Sequence, residues 1–336
     1  VGVPSSAQGR FAILLAACTL SAIAAIVIAA RNAGTSASSP HAAAQALARA
    51  RAEKRPVVVF RSLDRGAPGS FGQLALANLR GSAKTRTRQA LHCERVYFGP
   101  TSGLCLKRGN GFAEGYRAQI VDTDLRIRHE IDVPGIPSRA RVSPDGRYGS
   151  VTSFVTGHSY AEAGTFSTQT TLIDLARGTA DGDLEQFTTY RGSRQVTALD
   201  VNFWGVTFAR DSDRFYATLA TGGKTYLVEG SVADRTMRTI HENVECPSLA
   251  PNGRWIAYKK RVDGRDGPWR LFVLDLRTMR ETPLAETRSV DDQAEWLDDH
   301  HLLYALDDAI WIVPSDGSGR PIRFMPRADS PTVARW

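Results

Sequence analysis

Apolar and polar residues alternate in short runs along most of the chain, and turn residues separate the runs. In "RVSPDGRYGSVTSF" (141–154), Val142, Tyr148 and Val151 flank Pro144-Asp145-Gly146; in "SLAPNGRWIAYKK" (248–260), Trp255, Ile256 and Tyr258 follow Pro251-Asn252-Gly253. Proline presets the backbone angle at the second turn position, Asp or Asn bonds its own backbone, and glycine accepts the left-handed conformation that follows. Each phrase therefore predicts one tight β-hairpin with strands buried in a sheet. Weaker copies stand in "VYFGPTSGLCLK" (96–107), "TFARDSDRFYATL" (207–219) and "EWLDDHHLLYAL" (295–306).

Equivalent positions Gly103, Arg147, Arg214, Arg254 and His301 are separated by 44, 67, 40 and 47 residues. Repeats of about 40 to 50 residues signal four-stranded propeller blades. Two more strands should follow each hairpin, and suitable segments do: "YRAQIVD" then "RIRHEIDV", "TTLIDL" then "EQFTTY", "KTYLVEG" then "TMRTIHE", "WRLFVLDL" then "RETPLAE", "AIWIVPSDG" then "PIRFMP". The long step is assigned to inserted loops around "TGHSYAEAGTFST" and the acidic "ARGTADGDLE". The last residues, "SPTVARW", match the first strand of a repeat, and "VVVFRS", "GQLALANL" and "KTRTRQAL" match the other three. The expected fold is all-β: a six-bladed β-propeller over residues 56–336 whose closing blade is shared by both ends, which leaves no open sheet edge between first and last blades.

Composition adds a front end to this picture. Residues 11–30, "FAILLAACTLSAIAAIVIAA", carry no charge, and about 20 helical residues span a bilayer core. The preferred reading is one uncleaved transmembrane helix, after a short cytoplasmic segment (1–10) and before a linker (31–55), with the propeller outside the cytoplasm. Cleavage of a signal segment near Ala24, giving a secreted protein, and lipidation at Cys18 in "LAAC" are the alternatives. Within the linker, "HAAAQALARARAEKR" (41–55) predicts a helix, read as a solvated stalk. The formal charge is +7, but residues 1–56 hold six Lys/Arg against one acid, so the propeller keeps only +2. A nucleic-acid partner is not indicated.

Catalytic and cofactor motifs give little. No Gly-x-Ser-x-Gly elbow occurs, "TGGKTY" (221–226) lacks the first glycine of a P-loop, and Asp298, Asp299, His300 and His301 occupy a hairpin turn rather than a metal site. No cofactor and no metal are expected. Outside the cytoplasm Cys93 and Cys105 are candidates for a disulfide. Pairing across the hairpin sets Cys105 opposite Val96, three positions from Cys93, so the bond requires a bulge or a shifted turn. Cys246 reads as an inert buried thiol.

The phrase at Ser143 to Arg147 and its copies resemble the TolB-like, WD40-like (PD40) propellers of bacterial envelopes over about residues 57–336. "DVNFWGVTFA", "DRFYATLATGGKTYLVEG", "NVECPSLAPNG" and "LAETRSVDDQAEWLDD" are similar to the actinobacterial TolB-like translocation proteins. The resemblance implies a propeller behind a signal segment and no established activity. A separate N-terminal α/β domain like that of TolB is not expected in the stretch of about 25 residues between the apolar run and the propeller.

Aligning the inner strands puts Ala140, Val96, Thr207, Pro247, Ala294 and Ala334 in one column of small side chains. Two residues earlier stand Ser138, Glu94, Gly205, Glu245, Asp292 and Thr332. With a strand period of two, Glu94, Glu245 and Asp292 are expected to gather near solvent at one channel mouth and to favour a cation or a basic peptide. Glu295, Arg139 and Arg141 complete the candidate ligand-binding set. The expected function is a membrane-tethered binding or scaffold module for an envelope protein, peptide or glycan. A propeller hydrolase or lyase acting on envelope glycan is the alternative, and it requires a carboxylate pair about 5 to 10 Å apart.

Overall fold

In a computed structural model, residues 42–66, 68–79, 86–109, 115–155, 167–264 and 266–336 are described. Their strands form six separate sheets, one for each predicted blade, antiparallel except for one parallel pairing in blade 4. Blade 1 is built from both ends of the repeat array: Ala328–Ala334 is innermost and pairs with Val57–Ser62, followed by Gln73–Asn78 and Arg86–His92. Val57 lies opposite Ala334 and Val58 opposite Val333, and the Trp336 indole N–H donates to the Arg55 carbonyl at 3.0 Å. The ring is therefore closed by the shared blade that the repeats predict.

The inner hairpins form as their turn chemistry requires. Gly146 has φ +75°, its N–H donates to the Ser143 carbonyl at 2.9 Å, and Asp145 Oδ1 accepts the Arg147 N–H at 2.9 Å. A Cβ at Gly146 would sit 1.8 Å from Thr101 Oγ1 of the neighbouring blade, so both conformation and space demand glycine. In blade 5 Asn252 Oδ1 plays the part of Asp145, accepting the Arg254 N–H at 2.9 Å.

The acidic segment differs from expectation. Thr179–Asp183, read as loop, is the fourth strand of blade 3. It is held there by its side chains, with Asp183 accepting the Thr171 hydroxyl at 2.6 Å and the Gln169 amide at 2.9 Å. The segment expected to be that strand instead forms a short 3₁₀ turn, Leu184–Gln186, and the strand Thr188–Arg191, which adds in parallel to Thr236–Glu242 of blade 4. Leu184 and Phe187 pack with Phe203, Phe215 and Met237 in the core between blades 3 and 4. Their apolar character is what made this stretch look like the outer strand of the wrong blade.

The helix Ala42–Ala52 is a second correction. Ala43, Leu47 and Ala50 share one face at helical spacing and are buried against Leu74, Leu76 and Leu91 of blade 1. It ends in a Schellman arrangement, Lys54 at φ +48° and the Arg55 N–H donating to the Ala50 carbonyl at 2.8 Å. This part of the expected linker is a docked element of the propeller, not a solvated stalk. Among the described residues no helix is long and apolar enough to cross a membrane; the apolar run 11–30 lies outside the described residues.

Candidate ligand-binding mouths of the propeller

Cys93 and Cys105 are joined by a disulfide, with Cα atoms 5.2 Å apart. Cys105 lies opposite Val96 in an unbroken register. The offset is met not by a bulge but by a bend between blades, where the Cys93 N–H donates to the Gly72 carbonyl at 2.8 Å. The bridge thus ties the crossing from blade 1 to the second strand of blade 2.

Bulges appear elsewhere, and they change the predicted column. The inner strands of blades 3, 4, 5 and 1 each carry one extra residue against their partner strand, with Gly205, Cys246 and Ser330 at φ +68°, +51° and +51°. An extra residue reverses which side chains face the axis on either side of it. Positions two residues before the aligned column are therefore not equivalent from blade to blade.

The three acids accordingly do not form a bare carboxylate ring. Glu94 is half exposed and sits 3.2 Å from Arg61 Nη2. Glu245 accepts the Trp269 indole N–H at 3.1 Å and lies 3.7 Å from the buried Lys259 Nζ, which also pairs with Asp291. Asp292, only 9% exposed, lies 3.6 Å from Arg95 Nη1 and 3.8 Å from Arg139 Nη1. The expectation of solvent-facing acids holds for Glu94 alone. Burial raises the Asp329 carboxyl above its usual range in spite of Arg61 and Arg95. The recess at this mouth, between Arg95, Arg139, Asp292 and Ser330, measures about 20 Å³, the size of one water molecule.

Arg141 and Glu295 are brought together in the middle of the ring. Arg141 Nη2 donates to the Ala294 carbonyl at 2.9 Å and to Ser248 Oγ at 3.2 Å, so blade 3 reaches across to blades 5 and 6. Its Nη1 is 3.4 Å from Glu295, both side chains about 5% exposed, and its guanidinium lies 4.6 Å from the Tyr97 ring centre. Burial, with Glu295 nearby, pushes the Tyr97 phenol up to about 12, so it stays a neutral donor.

On the other side of this pair, at the end carrying the hairpin turns, the ring opens into a pocket of about 210 Å³. Arg141 lines both cavities. Pro100, Pro144 and Pro251, the prolines of the repeated turn phrase, form part of the rim, and Arg210 holds the same turn position in blade 4. Arg335, at the position of Ser143, and the aromatic side chains Tyr97, Phe208 and Trp296 complete the wall that bears on recognition. Sequence reasoning missed Arg210 and Arg335. The turn alignment of the sequence could not mark them: it sets Asp211, not Arg210, opposite Pro144 and Arg335 opposite Arg141, and the strand pairing of the folded hairpins moves both to the rim.

No family model matches the chain, and no curated protein sequence matches it. Solved structures do match in fold. TolB from Acinetobacter baumannii superposes with a TM-score of 0.58 at 16% identity, over 84% of this chain and 67% of TolB. A chain of the nidogen/laminin complex gives 0.54 at 10% identity, over 83% of this chain and 98% of that one. A puromycin-hydrolyzing peptidase of Mycobacterium tuberculosis gives 0.50 at 14% identity, over 81% of this chain but 45% of the peptidase. At such identities the likeness speaks for fold alone: the described residues form a six-bladed β-propeller, the fold shared with these structures.

Proposed function

We propose that this protein is a membrane-tethered, extracytoplasmic binding or scaffold module that engages an envelope protein, peptide or glycan at the turn-side mouth. The observation that carries the reading is the pocket of about 210 Å³ at one end of the axis, set on rigid hairpins as binding sites on propellers are. The disulfide supports an oxidising compartment, since such bonds are rare in the cytosol. The nidogen/laminin structure, a protein complex, is consistent with protein binding by a like-folded chain. For a basic partner the carrying feature was three bare carboxylates, and each has a cationic or hydrogen-bonding partner. Glycan hydrolysis is supported less, because the recess of the opposite mouth is lined by one acid, Asp292, and at about 20 Å³ is too small for a sugar ring.

Two experiments test the reading. A photoreactive amino acid at Pro144, on the rim of the pocket, should crosslink a defined partner in intact cells, and the same residue at exposed Ile322, on the outer rim of blade 6, should not. A membrane-impermeant thiol reagent should label a cysteine engineered at Ser36, while the protein stays with membranes after a high-salt wash. Equal capture from both positions removes the mouth as the binding site, and a chain released into the medium from near Ala25 replaces the tether with signal cleavage.

A further inference from the structure

The turn-side pocket has a charge that the sequence did not announce. Arg141, Arg210 and Arg335 line it against one acid, Glu295. That acid is already engaged: Oε2 lies 3.4 Å from Arg141, and Oε1 lies 3.7 Å from Arg335 and accepts the Val333 N–H at 3.4 Å. Arg141 is spent on Ala294, Ser248 and Glu295. Arg210 is different. Only its Nε is committed, to the Pro251 carbonyl at 2.7 Å; among the described residues its two terminal nitrogens have no hydrogen-bond or ion-pair partner. The carboxylates of the surrounding turns do not supply one. Asp145 accepts the Ser143 hydroxyl, Asp211 accepts the N–H groups of Asp213 and Arg214, and Asp298 accepts the His300 N–H. None of the three lines the pocket.

We propose that this pocket is a carboxylate-binding site that receives the C-terminal residue of a peptide, the carboxylate at Arg210 and the side chain against Tyr97, Phe208 and Trp296. The assignment rests on the binding reading above and names its ligand. A guanidinium with a free edge matches a carboxylate in plane and in spacing, which gives geometric selectivity as well as attraction. The volume of about 210 Å³ falls below the about 300 to 1,000 Å³ of pockets for drug-sized ligands, so it admits one residue rather than a longer segment. The floor is the buried Arg141–Glu295 pair, so a chain enters from one side only. A terminal residue alone places a carboxylate and an apolar side chain on the same carbon and so meets cation and aromatic wall together.

The test is fluorescence anisotropy with purified protein and three probes: labelled Gly-Gly-Ala-Ala-Phe as the free acid, the same peptide as its C-terminal amide, and N-acetylphenylalanine as an unlabelled competitor. The free acid should bind at least about tenfold more tightly than the amide, and Arg210→Gln should remove about that factor for the acid while leaving the amide unchanged. Arg210→Lys, which keeps the charge but not the fork, should fall between. An unchanged melting temperature of both variants separates loss of binding from loss of fold. N-acetylphenylalanine, which carries the terminal residue alone, should compete for the same site, and its failure to displace the labelled free acid would overturn the one-residue pocket. Equal affinity for acid and amide, binding of none of the probes, or indifference to Arg210→Gln overturns the carboxylate site. Crosslinking from Pro144, which lines the pocket and leaves Arg210 in place, distinguishes these failures from failure of the binding mouth itself, since a captured partner with no acid preference leaves the mouth standing.

Discussion

The two mouths of the propeller hold their charges in opposite ways. At the strand-start mouth Glu94, Glu245, Asp291, Asp292 and Asp329 interleave with Arg61, Arg95, Arg139 and Lys259, leaving a recess of about 20 Å³. At the turn-side mouth the one acid is saturated, one arginine edge is free, and the pocket is about ten times larger. Charges that satisfy each other specify a structure; charges held without a partner beside an open pocket are available to a ligand. The lesson is that counting acids in a column finds the first kind as readily as the second.

The largest expected effect comes from the pair that separates the mouths. Glu295→Ala leaves Arg141 buried without its carboxylate and should cost about 3 to 5 kcal/mol in urea denaturation. The double replacement Arg141→Met with Glu295→Leu should cost much less, since it removes both charges and keeps the volume. If the single and double variants were equally destabilised, the pair would not be acting as a pair.

Next comes the bridge beside Glu94. Replacing Cys93 and Cys105 together by alanine opens a loop of 12 residues' separation and should lower stability by about 3 kcal/mol. An intact-mass change of two hydrogens on reduction checks that the bond is present.

A smaller effect distinguishes the strand-start mouth by pH. Burial raises Asp329 above its usual range, so the folded chain holds that proton more tightly than the unfolded chain does. Its contribution is fully present below the unfolded pKa of about 3.9 and is lost as pH rises through the higher folded value. Relative to wild type, Asp329→Asn should therefore be least favourable at low pH and gain steadily toward neutrality in matched melts. A pH-independent difference would place the carboxyl in solvent. The smallest effect is that of Glu94→Gln, whose half-exposed pair with Arg61 should matter by less than about 1 kcal/mol.

The repeats made the architecture legible because turn chemistry is local: Pro144, Asp145 and Gly146 specify a hairpin without reference to anything distant. Thr179–Asp183 escaped because an acidic strand is stabilised by partners in the next strand, Thr171 and Gln169, and has no alternation of its own to read. The facing of the inner strands escaped for a related reason. A single extra residue at a bulge leaves no pattern when a cysteine or serine occupies it, as at Cys246 and Ser330; only Gly205 carries the glycine that often marks such a site. Arg141 and Glu295 were found as mouth residues, but their union across the ring depends on the bulged register, and the pocket that it floors is lined from every blade.

The most direct test of the difference between the mouths keeps Arg210, places one photoreactive amino acid at Pro144, which lines the pocket, or at Glu94, both exposed positions, and compares crosslinks in intact cells. The account predicts a single defined partner captured from Pro144 and lost in the presence of excess free-acid peptide, with none captured from Glu94. Capture of the partner from Glu94 and not from Pro144 would contradict it.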